Sequence, residues 1–72
     1  MSMMPNGLLQ VYNDKLARYE RMCRWCDTAS QAEQLQQATH IQQVIEDCNN
    51  VLNEVGRYRE VTSDEIRDGF TI

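Results

Sequence analysis

The sequence predicts an all-α fold, an antiparallel helical hairpin, and three observations carry that prediction. Two long segments each place apolar residues at alternating spacings of three and four, the signature of one buried helical face. A connection of only a few residues joins them, which makes the helices neighbours running in opposite directions. Ser30-Gln31-Ala32-Glu33 marks where the second begins, because a hydroxyl residue followed three positions later by Glu is the capping-box pattern.

In chain order, residues 1–6 read as a flexible N-terminus, with Pro5, Asn6 and Gly7 forming a turn signal. Asn6 as a cap, or Pro5 in the first turn, would start the helix that follows. The first helix is expected over about 7–27. Its seam is Leu9, Tyr12, Leu16, Tyr19, Cys23 and Cys26, an a/d heptad pattern uninterrupted by Gly or Pro. Asp14 with Arg18 and Glu20 with Arg24 are acid-before-base pairs four apart, an arrangement that supports a helix modestly.

The second helix is expected as one piece over 30–56. Ala38, Ile41, Ile45, Cys48, Leu52 and Val55 form its stripe, and Gly56 is expected to end it in the left-handed conformation. With a tight turn near residue 28, Tyr19 should lie level with Ala38 and Tyr12 with Ile45. Residues 57–72 read as a C-terminal tail. Thr62-Ser63-Asp64-Glu65 repeats the capping-box pattern there and predicts a short helix over 63–68. Phe70 and Ile72 then either fold back on the hairpin or dock elsewhere.

Both long helices carry more apolar surface than one seam needs. Leu8, Val11, Met22 and Trp25 run beside the first seam, and Leu35, Val44 and Val51 flank the second. A lone hairpin would expose this surface, and exposed apolar patches mark interaction sites. These seven residues are therefore the expected partner-binding set. Pairing of two hairpins into a four-helix bundle, a homodimer, would cover them, and so would a different protein partner. The alternative within one chain is a cover formed by Tyr58, Ile66, Phe70 and Ile72.

A chain of 72 residues has a thin core, and association is a common compensation. Eleven acidic residues against seven basic ones give a net charge of −4, which argues against direct nucleic-acid binding. Nothing approaches the ~18 consecutive apolar residues of a membrane span, and the N-terminus lacks the pattern of a secretory signal. Three cysteines, an odd number, fit a cytoplasmic, reducing compartment.

Cys23-Arg24-Trp25-Cys26 is a C-x-x-C motif, yet it lies at the end of its helix, where the dipole disfavours a thiolate, and no strand precedes it. Zinc would need two further ligands. The tight-turn register sets Cys48 and His40 away from the pair, so only a site between chains is left open. The simplest reading makes all three cysteines small apolar residues of the seams. No phosphate loop, nucleophile elbow or zinc-protease pair is present, adjacent carboxylates such as Glu46-Asp47 diverge on a helix, and no cleft of several hundred Å3 is expected. The expected function is thus a non-enzymatic protein–protein interaction module, an adaptor, regulator or structural subunit without cofactor. The alternative is a small acidic inhibitor occupying the basic groove of a nucleic-acid-binding protein, through carboxylates concentrated from Glu33 onward. Arg21, Arg24 and Trp25 would suit an acidic partner, or the arginines are a solvated face.

Overall fold

A computed structural model describes residues 3–72. All its regular elements are helices: α1 (Leu8–Thr28), α2 (Gln31–Gln36), α3 (Ala38–Gly56) and α4 (Ser63–Asp68). α1 packs lengthwise against α3, and together they set a rod of 49 × 20 × 18 Å. Its radius of gyration is 14.0 Å, against the ~11 Å of a compact domain of this length. The molecule is elongated because two long helices are not wrapped by further layers.

The start of α1 differs from the expected cap. Gly7, at φ 82°, is its N-cap and no side chain caps it. The Leu8 N–H donates to Pro5 O, so Asn6 and Gly7 form a turn whose second position requires a positive φ. Met4 packs against the core; Met1 and Ser2 lie outside the described residues.

The second expected helix is two. Ser30 opens α2 with the full capping box, its Oγ accepting from Glu33 N–H while the Glu33 carboxylate accepts from Ser30 N–H. At Gln37 the backbone leaves helical values, φ −100° and ψ 13°, and its N–H is shared between Glu33 O and Gln34 O at 3.2 Å each. A shared bond is a weakened one, and it lets α2 and α3 take separate axes. Gln34 fastens this corner: its Nε2 donates to Cys26 O and Ala29 O at 2.9 and 3.3 Å, satisfying carbonyls left open where α1 ends.

The break moves the register. Lys15 and Arg18 both reach Asp47, at 3.7 and 4.0 Å, which displaces α3 by about six residues, ~9 Å at 1.5 Å per residue, from the tight-turn expectation. Tyr12 and Tyr19 share one hollow with Ile45 and Leu52, and Ala38 does not line it. The corner consumes α2 as well as the turn, which moves the level at which α1 and α3 meet. Arg18 also turns to Asp47 across the interface and not to Asp14, which accepts from Gln10.

The core sits at the end of the rod away from the corner. Tyr12, Leu16, Cys48, Val55 and Phe70 are buried there, with Leu8, Leu9, Val51, Leu52 and Val61 packed around them. Val55 is fully enclosed. Gly56 ends α3 without a left-handed residue: Arg57 follows in the right-handed region, and Tyr58 and Arg59 N–H both donate to Val55 O. The expected left-handed stop is therefore absent, because the chain turns by tightening its last bonds.

The tail folds back on the helix pair. Thr62 Oγ1 accepts from Glu65 N–H and the Glu65 carboxylate accepts from Thr62 N–H, so α4 also opens on a capping box. Gly69, at φ 92° and ψ 172°, occupies a region reserved for glycine. A Cβ there would stand 2.8 Å from Asn13 Oδ1. This conformation delivers Phe70 into the core, its ring edge-on to Tyr12 at 5.3 Å and 71°, with the Arg59 guanidinium 5.4 Å from the ring centroid.

Candidate interaction surface

Burial along the rod is uneven, and the unevenness defines the candidate site. On α1 the seam is closed at Tyr12 and Leu16 but open at Tyr19, and Cys23 and Cys26 are only half-buried. On α3, Ala38 is exposed and Ile41 half-buried, and Val44 marks the first position enclosed by the chain itself. Beyond the Gln34 fastening, the corner end has little to cover it.

The expected partner-binding residues divide accordingly. Val44 is 2% exposed, enclosed by the chain itself. Leu8 and Val51 pack against the core, of which Phe70 of the tail is a member. Val11 stays exposed, Leu35 is 72% exposed on α2, Trp25 is 37% exposed, and Met22 is half-buried. The alternative cover is half realised. Phe70 is enclosed and Tyr58 half-buried, while Ile66 and Ile72 remain largely exposed.

Met22, Trp25 and Ile41 meet in a groove of about 550 Å3 between α1 and α3, edged by Arg18, Arg21, Gln37 and His40. A cleft of this volume was not expected of a hairpin. It is an open trough, made because the shifted register sets Ile41 opposite Met22. His40, weighed from sequence only as a distant metal ligand, is one of its lining residues. A smaller hollow of about 210 Å3 lies where Tyr19 and Ile45 meet above Tyr12, Leu16 and Cys48, and Ile66 of the tail closes one edge of it. The tail thus covers the flank of the helix pair that holds Tyr12, and no tail residue lines the groove at Trp25.

Electrostatics at the two ends differ. Asp47, between Lys15 and Arg18, is held below the ordinary carboxylate range, first by the amide of Gln43 donating to it and then by the two cations. Many other carboxylates are locally engaged: Glu54 with Arg57, Glu65 with Arg59, and both Asp64 and Asp68 with Arg67. The groove at Trp25 has arginine and histidine on its walls and no carboxylate among its lining residues.

All three thiols are free. Burial raises the Cys48 thiol above its ordinary range, with Asp47 adding to the effect. Among the described residues, no group of three or more His, Cys, Asp and Glu side chains is placed to hold a metal ion. No described helix is long and apolar enough to cross a membrane.

Sequence reasoning overlooked Asn13 and Gln34, polar residues whose roles depend on distant backbone. Asn13 sits one position after the seam residue Tyr12, and a side-chain amide beside a seam is the only hint it offered. No known protein family matches this chain, and neither the curated proteins nor the solved structures provide a match.

Proposed function

We propose that this chain is a small non-enzymatic protein–protein interaction module, an adaptor, regulator or structural subunit, acting in the cytoplasm through the apolar surface at its corner end. One observation carries the reading: Met22, Trp25, Leu35 and Ile41 are left open or half-open at one end of a rod whose core is at the other. Exposed apolar side chains gathered at one place, with Trp and Arg among them, are the composition of a binding hot spot. Contacts at two levels support an antiparallel hairpin: Gln34 meets Cys26 near the end of α1, whereas Asp47, further along the chain, meets Lys15 and Arg18 nearer its start.

A second copy of the hairpin, packed over the flank bearing Tyr19 and Ile45, would complete a four-helix bundle and a homodimer. The groove at Trp25 then serves a different protein. The reading as an acidic inhibitor of a basic groove draws less support, because Asp47, Glu54, Asp64, Glu65 and Asp68 are already engaged with the chain's own cations.

Size-exclusion chromatography with light scattering tests the self-association. Twice the 8.4 kDa chain mass is expected at micromolar concentration. A mass that stays at one chain across a hundredfold dilution range would refute the bundle. Tyr19→Glu should return the protein to a single chain while leaving its helical circular dichroism intact.

A further inference from the structure

The groove at Trp25 has a chemistry that narrows its occupant. Arg18, Arg21, Met22 and Trp25 recur along α1 at spacings of three, one and three, so they present about two helical turns, ~10 Å of continuous wall. Ile41 and His40 of α3 form the facing wall. The apolar lining residues Met22, Trp25 and Ile41 are accompanied by two arginines. Of these two lining arginines, only Arg18 has an ion-pair partner among the described residues, Asp47 at 4.0 Å. Within a chain of net charge −4, a rim without carboxylates is a local reversal of sign.

We propose that this groove binds an acidic amphipathic helix of another protein, seated as a third helix against α1 and α3. Its apolar residues, at i, i+3 or i+4 and i+7, would pack on Met22, Trp25 and Ile41, the mode in which a helix fills a groove. Carboxylates on its flanks would face Arg18, Arg21 and His40, and the planar arginine side chains favour such partners in paired hydrogen bonds. The net negative charge of the rest of the surface would repel an acidic segment placed anywhere else, so the rim sets where it lands. The inference rests on the interaction-module reading and specifies its partner.

Trp25 is the only tryptophan of the chain, so its emission reports the groove directly. The full-length protein is titrated with two synthetic helical peptides free of tryptophan, identical in their leucines and differing only in Glu or Lys at the flanking positions. The Glu peptide should shift Trp25 emission to the blue and saturate. Arg21→Glu should weaken it by about tenfold or more, the equivalent of one charge-assisted contact. Arg24→Glu, off the groove, should change affinity less than about twofold. Circular dichroism checks that both exposed substitutions leave the helices intact.

Equal binding of the Lys peptide would overturn the acidic partner while leaving an apolar interaction surface. An emission that is already blue and shifts red on dilution, with the mass halving and no response to peptide, would assign the groove to a second copy and overturn the proposal. So would a response to anionic vesicles or to an oligonucleotide without one to the Glu peptide. No response to either peptide together with a single-chain mass at every concentration would overturn both this proposal and the interaction-module reading.

Discussion

Asn13 and Phe70, 57 residues apart in sequence, exchange two hydrogen bonds: Asn13 Nδ2 donates to Phe70 O at 2.9 Å and Phe70 N–H donates to Asn13 Oδ1 at 2.8 Å. One side-chain amide thereby takes the place of a neighbouring strand for one residue of the tail. The pairing satisfies both backbone groups as Phe70 enters the core, where unmatched polar groups are costly. Asn13→Ala should therefore destabilise the fold by about 1–3 kcal/mol. Asn13→Asp keeps the acceptor but sets a carboxylate against Phe70 O, and should lose at least as much at neutral pH. Urea unfolding measures both, and a loss in Asn13→Ala below ~0.5 kcal/mol would show that the clasp does not hold the tail.

Two glycines should respond to alanine with opposite signs. Gly69 is at φ 92° with the Cβ position 2.8 Å from Asn13 Oδ1, so Gly69→Ala combines backbone strain with a clash against the clasp. A cost of about 2–4 kcal/mol follows from strain of 1–3 kcal/mol plus loosened hydrogen bonds. Gly56 lies in the last turn of α3 with nothing within 4 Å of its Cβ position and without a positive φ. Gly56→Ala should stabilise by about 0.4–1 kcal/mol, through a less disordered unfolded chain and better helix propensity. Paired melting curves check the prediction, and equal signs would refute it.

What was legible in the sequence was local. The capping boxes at Ser30 and Thr62 link groups three residues apart, so each was visible as a four-residue pattern and stands in the structure. The alternating seams of α1 and α3 were legible for the same reason, since periodicity is a property of one helix. Register was not. It depended on Gln37 leaving the helix and Gln34 reaching back to Cys26 O, and a glutamine-rich stretch of good helix formers shows no break in advance. The groove at Trp25 inherits that difficulty, because Ile41 and His40 reach Met22 and Trp25 only in the shifted register. The Asn13 clasp had no local signal at all.

The cysteines should separate by rate of modification. Cys48 is buried, and burial holds its thiol above the ordinary value of 9.0, so little thiolate is available at neutral pH. Cys23 and Cys26 are half-buried toward the open end of the seam. In a thiol titration of the native protein, Cys48 should react only as the helix pair opens, at a rate that denaturant raises steeply. Cys23 and Cys26 should react faster with weak dependence on denaturant. Mass mapping after partial labelling would decide it, and labelling of Cys48 first would contradict the burial at this end.

At the acid end, α4 should loosen before the rest. Glu65 is held below the ordinary carboxylate value of 4.5, first by the Thr62 N–H donating to it and then by Arg59. A group whose folded value is depressed contributes stability that is present above its unfolded value and is lost as pH falls through the folded one. The contribution of Glu65 is thus intact at neutral pH and declines below about 4.5. Glu65→Gln keeps a side chain able to accept from Thr62 N–H but carries no proton-linked charge. Its stability should be lower than the parent's at pH 7 and change less between pH 5 and 3, followed by hydrogen exchange of the α4 amides. Identical pH slopes in the two proteins would remove Glu65 from the explanation.

The alkaline end is governed by Tyr12 at the centre of the core. Its hydroxyl donates to Ile66 O at 2.6 Å, and burial is the main cause that holds its ionisation above the ordinary value of 10.0. Ionising it would place a charge among apolar groups and remove the proton that ties α1 to α4. Below the unfolded value both states keep the proton and stability does not depend on this group. Above it the unfolded chain binds fewer protons than the folded one, so stability falls from about pH 10 until the folded value is passed. Cys48 acts in the same direction from about pH 9. Tyr12→Phe should cost about 1–2 kcal/mol at pH 7, since Ile66 O loses its donor while the ring remains packed on Phe70. That variant should then lose less than the parent between pH 10 and 11.5, so the two urea midpoints converge as pH rises. Curves that run parallel across that window would mean that Tyr12 does not couple ionisation to folding, and the alkaline loss would have to come from Cys48 or Tyr19.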